Sequence, residues 1–412
     1  MTWPIAAAGT VSLPLLAAGA MAVIPARHGA WVSGAAAVAT VACTGFLPWA
    51  TSEPDDILLT DGLAAHLAIL AGFIGLTTAW AGFRSARHHP ALSQLSMGLI
   101  ELALLSDDVG LAWIAAAAVA MLATGMRVGP GLLPTAAGVL MALFGTVLLY
   151  LAAVAALGPG WAAMRWTSLA AAAPKCQGGP LSLAFLLILA GYGGIAALAP
   201  RYARLGGTAA NVLLPVVAFS VILRLRNVMA VNADAILPGP LLAALGMGAL
   251  LLGALGLWRR DRLIVASAIG HNGIVATAFG LGGPAAIFAG LLHLTAHSLA
   301  HAALRHPLST VPFAALLTAL AGLPPFALFG SEALILTEAT RRLPWLALPF
   351  GLGLLAIAAA LAVRLRDRPG PVVSPGHAAF AWVWLHVAAL LGLGVAMPAR
   401  VATWLHAIAA TP

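Results

Sequence analysis

Four histidines and two glutamates stand in apolar sequence between residues 263 and 338. His271 lies in one apolar run, His293, His297 and His301 in the next, and Glu332 in a third that also holds Glu338. The three histidines of the second run recur at i, i+4 and i+8, so a helix stacks them along one face. Imidazole has an ordinary pKa of ~6.5 and gains or loses a proton near neutrality. An ionisable group at bilayer depth costs ~3 to above ~10 kcal/mol, and it persists where it faces protein or water and moves charge. Proton transfer is therefore the chemistry this set fits. A row of packed, neutral imidazoles bonded to neighbouring carbonyls is the plainer alternative. Metal binding would also suit the i, i+4 spacing, but no cysteine or close carboxylate accompanies the row. Neither a metal nor a cofactor is expected, and no catalytic residue stands out.

The elements that carry these residues are membrane helices. The chain is 62% hydrophobic and only 8% charged, against ~25% charged in soluble domains, and its mean hydropathy is +1.01. A spanning helix needs ~20 apolar residues. Fourteen such stretches can be read: 5–26, 30–49, 61–83, 91–106, 109–126, 131–157, 180–200, 207–226, 238–258, 263–282, 284–304, 310–338, 345–366 and 377–397. The expectation is an all-α polytopic membrane protein of about 14 helices, one transmembrane domain over 1–412 without a soluble insertion. The opening Met-Thr-Trp-Pro lacks the positive residues that begin a signal peptide.

The net charge of +8 is a topology signal, not a nucleic-acid footprint. Loops after odd-numbered stretches carry thirteen arginines: 27, 84, 87, 127, 201, 204, 259, 260, 262, 305, 364, 366 and 368. Loops after even-numbered stretches carry six basic residues (Arg165, Lys175, Arg224, Arg226, Arg341, Arg342) and seven acids (Glu53, Asp55, Asp56, Asp61, Asp107, Asp108, Asp234). Positive residues stay inside, so both termini are expected to face outward.

Two stretches are punctuated. Pro200 ends the seventh near Gly191, Gly193 and Gly194, and Pro324-Pro325 falls inside the twelfth. Proline removes a backbone donor and clashes with the preceding turn, and a helix broken at membrane depth marks an ion path in repeat-built transporters. Residues 158–179 read as a lateral connector or a mobile surface loop. Glu101 lies about 9 Å of helix rise from Asp107, which places it half-buried near the outer lip. Glu338, beside Arg341 and Arg342, reads as structural, Arg224 and Arg226 as interfacial anchors, and His66, His386 and His406 as core histidines. Cys43 and Cys176 suggest no disulfide, and no phosphate-binding loop is present.

The runs SAIGHNGIVATAFGLGG (267–283), LLHLTAHSLAHAAL (291–304) and GLPPFALFGSEALIL (322–336), in that order, resemble the antiporter-like subunits of complex I and its relatives. The strongest resemblance is to hydrogenase-4 component F, of formate hydrogenlyase and related membrane-bound hydrogenases. ALFGTVLLYLAA (142–153), LAFLLILAGYG (183–193) and SDDVGLAWIA (106–115) fit the same subunit. The resemblance implies fourteen helices, an outward N-terminus and two inverted five-helix repeats with broken helices 7 and 12. It places peripheral helices at about 1–90, an N-terminal repeat at 91–226, a C-terminal repeat at 238–366 and a last helix and tail at 377–412.

Family members hold a protonatable axis in each repeat, and here it is partly lost. Ala117 stands at the fifth-helix glutamate, Ile195 at the seventh-helix lysine, Gly270 at the glutamate before the tenth-helix histidine, and His301 at the lysine of the following helix. His271, His293, His297 and Glu332 remain as the family has them. Lys175 is the sole lysine, and it lies in a loop. The resemblance thus implies a proton-conducting subunit in a bacterial inner membrane, both termini periplasmic. Redox centres would lie on partner membrane-arm and redox subunits, and the proton path would run from His271 through His293, His297 and His301 to Glu332. The alternatives are a degenerate scaffold subunit that pumps nothing, or an Mrp-type cation/proton antiporter subunit.

Overall fold

The computed structural model describes residues 3–50, 52, 56–81, 89–124, 131–202, 207–306, 308–367 and 377–411. Its chain divides into two compact units, Met1–Pro238 and Gly239–Pro412. The first unit holds α1 (Trp3–Val23), α2 (Ala26–Phe46), α3 (Gly62–Ala81), α4 (Pro90–Leu105), α5 (Val109–Thr124), α6 (Leu132–Leu157), α7 (Trp166–Ala172), α8 (Gly178–Tyr202) and α9 (Gly207–Ala230). Then follow α10 (Pro238–Trp258), α11 (Leu263–Leu281), α12 (Pro284–Leu304), α13 (Thr310–Leu320), α14 (Ala327–Arg342), α15 (Pro344–Arg366), α16 (His377–Val395) and α17 (Ala399–Ala410). Each of the fourteen apolar stretches coincides with a helix, or for 310–338 with the pair α13 and α14. Among the described residues, ten helices are long and apolar enough to cross a membrane singly. Only helices satisfy every backbone group of such a segment internally, so the chain is a multi-pass membrane protein.

Small residues set the closest packing. In the first unit Gly145 of α6 meets the backbone of Ile188, and Gly191 of α8 meets that of Ala142. In the second, Gly246, Gly253, Gly273 and Gly280 bring α10 and α11 backbone to backbone. Close approach of this kind is how helices associate where lipid supplies no hydrophobic drive. It also corrects the expectation for the seventh stretch. α8 runs unbroken through Gly191, Gly193 and Gly194 and takes in Pro200. Gly191 there is a contact surface for α6, not part of a break.

The twelfth stretch does break. α13 ends at Leu320 and α14 starts at Ala327, leaving six non-helical residues around Pro324-Pro325. Gly322 carries the chain through φ +63 at that point, a region that glycine enters without a Cβ penalty.

Ion pairs join segments far apart in sequence. Arg165 Nε meets Asp107 Oδ2 at 2.8 Å, Arg224 grips both Asp61 oxygens at 2.7 and 2.8 Å, and Arg260 meets Asp367 at 2.5 Å. Arg224 is therefore a partner of Asp61 and not a bare interfacial anchor, a pairing across 163 residues that no local pattern reveals. The stretch 158–179 is likewise fixed and not a free loop. Thr167 donates to Asp107 through its amide and hydroxyl, and Asn232 donates to the carbonyls of Ala173 and Cys176.

Asp61 gives a pH prediction. Burial pushes its carboxyl upward, but the Arg224 charge and hydrogen bonds, with amides at Ala64 and Leu63, more than reverse this and hold it below 3.8. A depressed acid stabilises the fold above its unfolded value and loses that contribution as pH falls through its folded value. The stability gap between wild type and Asp61→Asn should be flat near neutrality, shrink below pH 3.8, and vanish once Asp61 is protonated. The side chain is 38% exposed, so the gap itself is about 1 kcal/mol or less. Thermal unfolding of both proteins across pH reads it.

Candidate proton-transfer site

All five residues of the expected path lie in the second unit. His271 is on α11, His293, His297 and His301 follow one another on α12, and Glu332 is in the second turn of α14, just past the break. The turn between α11 and α12 is Gly282-Gly283, both with positive φ (66 and 78), and Pro284 opens α12 at a position where its missing N–H removes no bond. This tight hairpin sets His271 beside the α12 row. Ring centroids of His271 lie 5.2, 6.0 and 6.1 Å from those of His293, His297 and His301. His271 is thus the hub of the group. All four imidazoles are buried, with at most 3% exposure.

A hydrogen-bonded chain runs through two of them, His271 and His293, to Ser331. His271 Nδ1 lies 3.1 Å from His293 Nε2, and His293 Nδ1 lies 2.9 Å from the Ser331 hydroxyl. Ser331 donates its own hydrogen to the Leu328 carbonyl at 2.8 Å. Its oxygen therefore accepts from His293, which puts the His293 proton on Nδ1 and leaves Nε2 to accept from His271 Nδ1–H; the tautomers follow from this network. His271 Nε2 is then a bare lone pair. It has no hydrogen-bond partner among the described residues. A proton arriving there would find an acceptor waiting.

Glu332 completes the group. One of its oxygens and one ring nitrogen each of His271 and His293 all lie within 4.8 Å of one another. Its carboxylate packs against Gly322, where any Cβ would collide with it. This corrects the expectation that no carboxylate stands near the histidines: the chain break folds α14 back so that residue 332 meets residue 271. The trio has the spacing of a three-ligand metal set, although the His271–His293 hydrogen bond already uses one nitrogen of each. Further along the row, His297 Nδ1 donates to the His293 carbonyl at 3.2 Å, and His301 Nε2 lies 3.4 Å from the Ser267 hydroxyl.

Glu338 is paired with Arg341 at 3.2 Å and with Arg342 at 2.8 Å, a structural role. Phe288 and His406 stack at 4.2 Å, which ties α17 to α12. Gly270 has Ile357 of α15 over the place a side chain would take. In the first unit, Ile195 is buried at 4% exposure on α8, facing Gly138 of α6. An apolar contact fills the place where the resemblance puts a lysine. Sequence reasoning missed Ser331, whose place in the chain is visible only once α14 is docked. It also misplaced Glu101, which is wholly buried at 0% exposure and not at a half-open lip.

No family model matches the chain. It is 31% identical to a "Hydrogenase-4 component F homolog" of Methylacidiphilum infernorum, over 87% of this chain and 89% of that protein. The chain belongs to the hydrogenase-4 component F family. Among solved structures, a chain of respiratory complex I from Thermus thermophilus superposes with TM-score 0.79 at 19% identity, covering 98% of each chain. A chain of the Mrp complex from Dietzia sp. DQ12-45-1b does so with TM-score 0.75 at 17% identity, covering 98% of this chain and 97% of that one. At those identities the likeness shows the fold alone, which this component F relative shares with subunits of both assemblies.

Proposed function

We propose that this chain is the antiporter-like membrane subunit of a hydrogenase-4-like or complex-I-like oxidoreductase, and that it conducts protons through its C-terminal repeat, 238–366. The observation that carries this is the chain His271–His293–Ser331 with Glu332 beside it at a helix break. A proton taken up at the unpartnered His271 Nε2 makes an imidazolium. His271 passes its Nδ1 proton to His293 Nε2, and His293 releases its own Nδ1 proton toward Ser331 and the Glu332 carboxylate. A separation of up to 4.8 Å is one that a single water molecule bridges. His297 and His301 extend the row along α12 toward Arg305. Electron transfer belongs to partner subunits, and the setting is a bacterial inner membrane with both termini periplasmic.

The N-terminal repeat, 91–226, has lost the family's ion pair, and Ile195 in its apolar contact favours a second reading in which the subunit is a scaffold. Glu332→Gln separates the two. It keeps the shape of the side chain and removes the exchangeable proton. On the conducting reading, proton uptake by vesicles holding the whole complex falls about 10-fold or more. Unchanged uptake with assembly intact leaves the scaffold.

A further inference from the structure

Glu101 is a buried acid that the path above does not use. It sits on α4, four residues before that helix ends at Leu105, at 0% exposure. Neither of its carboxylate oxygens has a hydrogen-bond partner among the described residues. α4 packs against α1, α2, α3, α5 and α9. Titratable groups on those helices are few: none on α1 or α5, His66 on α3, Arg27, His28 and Cys43 on α2, and Arg224 and Arg226 on α9. None of them hydrogen-bonds Glu101, and Arg224 is already held by both oxygens of Asp61. An ionised carboxylate in such a place is far costlier than the neutral acid, so Glu101 carries a proton. A leucine would pack there without that cost.

Its position also matters. From Glu101 the helix needs about 6 Å of rise to reach Leu105. Directly beyond lie Ser106, Asp107 and Asp108, where Ser106 accepts from the Asp108 amide and Arg165 holds Asp107. The acid is thus one short step inside the polar cap that carries the acidic residues of that face. We propose that Glu101 is a second protonation site, in the N-terminal unit, which exchanges its proton with water through this cap. It stands on α4, apart from Ala117 of α5 and Ile195 of α8, where the resemblance puts the family's pair.

Dicyclohexylcarbodiimide, an apolar reagent, adds to protonated carboxyls in membrane interiors. The whole complex in native membranes, treated with it and digested, should yield an adduct on the Glu101 peptide, formed faster at low pH and absent in Glu101→Gln. Glu332 falls on a different peptide, so labelling at one site and failure at the other are read separately. Infrared spectra of the same wild-type complex supply a measurement that needs no variant. The carboxylic-acid C=O band should shift within minutes of transfer to D2O, and Glu101→Gln or Glu101→Asp should remove or move that component. An unlabelled Glu101 peptide, or a C=O component that stays unshifted in D2O, would overturn the proposal and make Glu101 a sealed structural acid.

Discussion

Replacing His293 by leucine is expected to abolish most proton uptake and to weaken the second unit. His293 is bonded through both ring nitrogens, to His271 at 3.1 Å and to Ser331 at 2.9 Å. Leucine leaves the His271 Nδ1–H without an acceptor and the Ser331 oxygen without the hydrogen it accepts, although Ser331 still donates to the Leu328 carbonyl, in a site at 0% exposure. Each orphaned buried group costs about 1–3 kcal/mol. The flux should fall about 10-fold or more, as when a positioned acid–base group is removed. Glutamine at 293 can offer a donor and an acceptor, so it should recover stability sooner than flux. Thermal unfolding and proton uptake in sealed vesicles, taken on both variants, separate the two effects. Equal uptake in wild type and His293→Leu would rule out the chain as a route.

The largest stability effect should come from Asp107→Ala. Asp107 accepts from Arg165 Nε at 2.8 Å and from the amide and hydroxyl of Thr167 at 3.1 and 2.8 Å. Arg165 in turn donates to the Asp56 carbonyl at 2.8 Å. The two charged side chains are 9% and 2% exposed. Alanine strands a buried guanidinium and unties the segment that carries α7, so the cost should be about 3–5 kcal/mol. Removing both charges with apolar residues of similar volume should cost much less, because the arginine is no longer left alone. Protease cleavage between 158 and 179, faster in Asp107→Ala and near normal in the double variant, is the check. A double variant as unstable as the single one would mean that the pair does more than satisfy itself.

Much of this was legible in the chain, and the reasons differ from one part to another. Lipid demands long apolar runs, so every helix that satisfies that demand showed in the sequence, and the short α7 and the C-terminal α17 did not. A double proline cannot continue a helix, so the break between α13 and α14 was visible. The glycines of α8 were read with Pro200 as a helix break, because glycine serves close packing and bending alike and only the neighbour decides. In α8 the neighbour is Ala142 of α6. The histidine row followed from its spacing, but its hydrogen bonds did not. The Ser331 link, the approach of Glu332 to His271, and the grip of Arg224 on Asp61 all depend on how helices dock. Glu101 was misplaced for a related reason: nearness to a helix end says little about burial when five other helices surround it.

The most direct test is the number of protons moved per electron by the whole complex in sealed vesicles, with and without His293→Leu. A conducting chain predicts that the ratio falls while electron transfer on the partner subunits continues. An unchanged ratio, in a complex that assembles normally, would contradict the account and leave this subunit an architectural element.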